Sequence, residues 1–165
     1  MTHDRTGARN LAARLRSAGM WLGAGELERL VARFLDGTLP AAEWTHCAHL
    51  GVGAWHVRRY GAADALARLR AGIRALNDAH GTPNSDTRGY HETITRAYTW
   101  LIAELLAGVP PAASLAECAQ AVLASPLAER DALLAFYSEA RLGSVEARRA
   151  WQEPDRRPLA VAVLG

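Results

Sequence analysis

The chain has 165 residues, 50% hydrophobic and 22% charged, with a formal net charge of +2 and a pI near 8.8. That is enough chain to bury a real core, with the composition of an ordinary globular domain, and the charge is too evenly interleaved for a nucleic-acid stripe. All 19 basic residues are arginine, as in a GC-rich bacterial coding sequence, which excludes a lysine Schiff base, a pyridoxal-phosphate lysine and a P-loop lysine.

Cys47 and Cys118 are too few for a disulfide framework and read as free thiols of a reducing compartment. No apolar run approaches the ~20 residues of a membrane span. The segment MTHDRTGARNLAARLR lacks the apolar core of a secretory signal. The expectation is a cytoplasmic protein with neither a membrane nor a nucleic-acid partner.

Helical periodicity recurs along the chain, punctuated by glycine and proline. Residues 1–20 are expected to form an amphipathic arm, with Leu11 and Leu15 one turn apart. A first clear helix is predicted from about Gly25 to Asp36, with Leu27, Leu30, Val31 and Phe34 on one face. Pro40 suits the first turn of a second helix that extends to about Tyr60. A third runs from Ala62 to His80, with Leu66, Leu69, Ile73 and Leu76 inward. The polar loop TPNSDTRG follows. A fourth helix begins near Tyr90 and ends before Gly108. Two more are predicted over Ser114 to Ala124 and Pro126 to Leu142, with a short one near Val145 to Gln152. Residues 153–165, EPDRRPLAVAVLG, read as an arm whose apolar end packs onto the body or onto another chain. The whole is a single all-α domain over 1–165, a helical bundle of about six helices with short connections.

The stretch EWTHCAHLGVGAWH, Glu43 to His56, holds three of the six histidines. At ~100° per residue, His46 shares an inward face with Leu50, Gly53 and Val57. Glu43 falls one turn earlier, His49 lies at the border of that face, and His56 further round. On the fourth helix His91, Thr95, Tyr98 and Ile102 make one stripe. Two helices therefore each aim an imidazole at the bundle interior. A buried polar group without a partner costs ~1–3 kcal/mol, so these groups must satisfy one another, water or an ion.

Carboxylate–histidine sites between facing helices commonly hold metals. The expected ligands are His46, His49 and His91, binding a divalent Fe, Zn, Mn or Cu ion. Glu43 and Glu92 compete to be the fourth ligand or general base. Tyr90 or Tyr98 would donate a proton or orient a substrate, and Arg88 and Thr95 would touch it. The leading expectation is a metal-dependent enzyme that hydrolyses or oxidises a small molecule. A paired ExxH di-iron set is incomplete, and HExxH is absent. His56 and His80 read as surface groups at helix ends and Cys47 as a small core residue. One alternative is a non-catalytic module that binds a small molecule or a partner, with its histidines in a structural hydrogen-bond network; a homodimer is a further expectation. A metal-independent acid–base pair of His91 and Glu43 is another.

The segments EWTHCAHLGVGAW, ALARLRAGIRALNDAHGTP and GYHETITRAY resemble a group of small bacterial proteins of unassigned activity. In that group an H-x-x-H segment precedes a Y-H-E-T-[IL]-T segment. The resemblance covers about Leu39 to Ala107. It matches His46 and His49 to the first motif and Tyr90, His91, Glu92, Thr93 and Thr95 to the second. It implies one site built from both motifs and carries no reaction with it.

Overall fold

A computed structural model describes residues 23–165. The arm expected over residues 1–20 lies outside them. Helix α1, Ala24–Leu35, buries Leu27, Val31 and Phe34, spaced to share one face. Phe34 reaches onto Gly72, where an added Cβ would lie 2.5 Å from its Cζ. Only a residue without a side chain lets the ring seat there.

The helix expected from Pro40 to Tyr60 is two pieces. A 3-10 turn, Ala41–Glu43, comes first, and α2, His46–Tyr60, follows. Thr45 is extended and caps α2, its hydroxyl accepting from the Ala48 N–H at 3.2 Å. Residues Leu50 to Val57 of α2 are all buried, so this helix is apolar around its whole girth and occupies the centre. It packs against α1, α3 (Ala62–Ala79), α4 (Glu92–Ala107) and, most extensively, α5 (Leu115–Leu123).

Helix α4 starts two residues later than the periodicity suggests, because His91 is extended and serves as its N-cap. The expected helix Pro126 to Leu142 is also broken. It consists of 3-10 turns at Pro126–Ala128 and Ala132–Ala135 and the single-turn α6, Glu139–Leu142. Ser125 caps its first turn, accepting from Leu127 N–H, and Ser138 starts a new one inside the span, accepting from Arg141 N–H, a side-chain competition that favours helix starts over helix interiors. Apolar pattern still rules the packing, since Leu127, Leu133, Phe136 and Tyr137 are buried.

A short α7, Val145–Arg149, and a 3-10 turn, Val161–Val163, complete the chain. The apolar end lies on its own bundle. Leu159, Val161, Val163 and Leu164 pack against the core, and Val161 N–H donates to the Glu104 carboxylate at 3.0 Å. The all-α bundle expected from the sequence is what forms, and the described residues contain no strand. No described helix is long and apolar enough to cross a membrane.

Candidate functional site

The start of α2 faces α3 and α4 across a cavity of about 470 Å³, a volume suited to a small molecule. Leu50, Leu69, Ile73, Ile94 and Ile102 supply its apolar wall, and Gly53 gives it depth. A Cβ at Gly53 would come within 3.0 Å of Ile102 Cδ1. A second cavity of about 310 Å³ adjoins it, bordered by Tyr90, His91 and Arg148. Trp44, His49, Ile73, Ile94 and Thr95 line both, so His49 stands between them.

Each histidine is oriented by a backbone carbonyl. His46 sits in the first turn of α2, and its Nε2–H donates to Leu127 O at 2.9 Å. This bond joins α2 to the irregular segment after α5 and leaves Nδ1 without a hydrogen bond among the described residues. The His46 ring meets the Tyr98 ring edge-on, at a centroid distance of 5.4 Å. His49 donates from Nδ1–H to Thr45 O at 2.7 Å and stacks on Trp44 at 3.7 Å. Burial pushes its pKa down to about 4, the Thr45 carbonyl opposing and His46 adding to the shift. The ring is therefore neutral near pH 7, with an unprotonated Nε2 that takes no hydrogen bond from the described residues. The Tyr98 hydroxyl has no such bond either, and burial, with Asp131 adding, lifts its pKa to about 12. It remains a hydrogen-bond donor at any ordinary pH.

His91 is differently placed. It is buried, its Nδ1 accepts from Ile94 N–H at 3.2 Å, and its Nε2–H donates to Leu142 O at 2.8 Å. Both nitrogens are engaged, and the ring is the neutral cap of α4. Burial lowers its pKa against the raising effect of the Leu142 bond, and Arg148 lowers it further. The next residue, Glu92, is also buried. Arg70 Nε donates to its two oxygens at 2.9 and 3.1 Å, and the Tyr90 hydroxyl donates to it at 2.8 Å. Burial alone would raise the Glu92 pKa, but the bonds from Arg70 and Tyr90 outweigh it and hold the carboxyl below its usual range. Arg74 lies over the Tyr90 ring at 4.5 Å. Thr95 turns its hydroxyl back to His91 O at 2.8 Å while still lining the cavities.

The structure thus gathers His46, His49, Thr95 and Tyr98 on the larger cavity, and Tyr90 and His91 on the smaller. Glu43 is not with them. The break before Thr45 takes it off the helix that carries His46, so the i, i+3 face does not form. Glu43 instead makes a two-bonded ion pair with Arg33, at 2.8 and 3.0 Å, on the exposed side. Arg88 is exposed on the loop before α4 and lines neither cavity. Among the described residues no three His, Cys, Asp or Glu side chains group as a metal site would need.

His56, expected at the surface, is 1% exposed. It lies edge-on to Phe34 and Trp55 and bonds Val52 O at 2.8 Å. His80 is half-buried and reaches Leu39 O at 2.6 Å. Cys47 is half-buried, with burial raising its thiol pKa against the effect of Arg130.

Sequence reasoning missed two site residues. Trp44 carries the stack that fixes His49, and its place directly before the Thr45 cap was a usable signal. Arg130 stands at the cavity, and no local pattern distinguishes it from other surface arginines. No family model matches this chain, and no curated protein or solved structure matches it either.

Proposed function

We propose that this protein binds a small, largely apolar molecule in the cavity between α2, α3 and α4. The observation that carries this reading is a cavity of about 470 Å³ lined by three oriented polar groups that keep an open hydrogen-bonding site: His46, His49 and Tyr98. Unanswered polar atoms beside an apolar wall are what a ligand site needs for affinity and orientation. The family resemblance of the two histidine motifs supports a shared site but adds no reaction.

The test fills the space. Ile94 is half-buried on the cavity wall, so Ile94→Trp should occlude the cavity with little effect on folding. A fragment screen read by ligand-observed NMR should find apolar binders of the wild-type chain that Ile94→Trp loses at least tenfold. An equal set of binders for both proteins would refute the reading.

One observation favours a second reading. His46 and His49 each donate one N–H to a carbonyl and leave the other nitrogen open, as the outer hydrogen bonds of metal-ligating histidines do. In this reading the pair holds a divalent ion such as Zn(II), with the remaining positions left to solvent or substrate, and the ion activates water or polarises the ligand. His91 stays a helix cap. A melting temperature that zinc does not move would refute it.

A further inference from the structure

Resting on the cavity reading above, we infer that the occupant is a small amphipathic monoanion, its apolar body in the cavity and a carboxylate head on Arg130 at the mouth. Arg130 is the one charged residue on the cavity wall, and no acidic side chain lines that wall. Most of the other described arginines are engaged; Arg29, Arg88 and Arg157 have no such side-chain bond among the described residues, but none of the three lines the cavity. Arg33, Arg70, Arg141 and Arg149 are in ion pairs. Arg58, Arg148 and Arg156 bind backbone carbonyls. Arg59, Arg68, Arg74 and Arg96 lie over aromatic rings. Arg130 has no bond of these kinds among the described residues, so its fork of five donors is available to a carboxylate.

The interior settles which end of the ligand goes in. Beyond Arg130 the wall carries no second arginine: it is built on Leu50, Leu69, Ile73, Ile94 and Ile102, with the hydroxyls of Thr95, Thr99 and Tyr98 and the rings of His46 and His49 as its polar groups. A charge buried there would be uncompensated. The head therefore stays at the mouth and the apolar body enters. The number of charges is also limited. Glu129 and Asp131 flank Arg130 in the chain, and Asp131 acts on the Tyr98 hydroxyl, so a second negative charge meets repulsion while a single one is met by the guanidinium.

The experiment uses two matched probe series, octyl and 4-phenylbutyl, each as carboxylate, alcohol and amine. Dissociation constants are measured by calorimetry on the full chain at low and at 0.5 M salt. The carboxylate should bind about five- to tenfold tighter than the alcohol of the same body, the size of one well-formed charge-assisted contact near the surface. The amine should bind weakest. Salt should erase the carboxylate's advantage. Arg130→Gln should bring the carboxylate to the alcohol's level, with an unchanged melting temperature confirming the fold. Alcohol and carboxylate binding equally, or an advantage that survives Arg130→Gln, would overturn the monoanion while leaving the cavity reading intact. No binding by any probe, or binding that Ile94→Trp does not weaken, would overturn both.

Discussion

The two ends of the histidine-bearing wall differ in one respect that sorts structure from recognition. At the His91 end the side chains of His91, Glu92 and Thr93 are each answered within the chain. His91 caps α4 and holds Leu142, Glu92 takes Arg70 and Tyr90, and Thr93 bridges to Ala150 O and Gln152 N–H. At the His46 end each ring lines a cavity, is fixed by one carbonyl and has no hydrogen bond at its other nitrogen among the described residues. Both ends bury imidazole near apolar residues, so burial and composition do not tell them apart. What does is whether the second hydrogen-bonding site is occupied. A completed network supplies stability, whereas an oriented but incomplete one supplies a place for something else.

The largest effect should come from breaking the completed end. His91→Ala removes a helix cap, worth ~0.5–2 kcal/mol, and orphans a backbone carbonyl, worth ~1–3 kcal/mol. Urea denaturation should show a loss of about 2–4 kcal/mol, with His91→Asn recovering the cap portion. A loss below ~0.5 kcal/mol would erase the distinction between the two ends.

Glu92→Gln comes next. Arg70 is more than a third exposed at its side chain (38%) while Glu92 is only 10% exposed. Solvent screening therefore discounts the pair, and about 1–2 kcal/mol is expected at pH 7. The sign of its pH dependence follows from the direction of the shift. The Glu92 pKa is lowered on folding, so its contribution is present above the unfolded pKa and disappears as pH falls through the folded one. Stability curves of wild type and Glu92→Gln should converge in acid. Curves that stay parallel down to low pH would remove the ion pair from the account.

The smallest stability change is expected at the open end. His49→Gln should cost about 1 kcal/mol or less at pH 7, because the ring makes one carbonyl bond and one stack. Its effect lies in acid. The folded pKa is about 4, against 6.5 for the free side chain, so the neutral ring's stability is full above about pH 6.5 and lost as pH falls toward 4. His56 and His91, also lowered by burial, act in the same direction. Removing His49 should therefore flatten the acid limb of the stability curve without abolishing it. The same variant should lose any stabilisation by zinc that the wild type shows. An acid limb identical in the two proteins would place His49 outside the titrating set.

Much of the architecture was legible in the residues. Apolar spacing located α1, α3, α4 and α5, and the polar run TPNSDTRG marked the loop between α3 and α4. The helix wheels also identified most of the side chains that line the cavities. Periodicity failed where short polar side chains compete with the helix. Thr45 and Ser138 cap where an uninterrupted helix was expected, and the first of these caps moved Glu43 from the interior to Arg33. The wheel also placed His56 off the inward face, which matters only for a helix with a solvent side, and α2 has none along its central turns.

The sequence by itself determined the helical class and the presence of imidazole near the core, because both follow from local periodicity and from the cost of burying a polar group. Only the tertiary structure decided which histidines are complete and which are open. Their partners are the carbonyls of Leu127 and Leu142, contributed by segments 81 and 51 residues away. A backbone carbonyl carries no side-chain signature, so nothing in the order of residues announces which one a distant ring will meet.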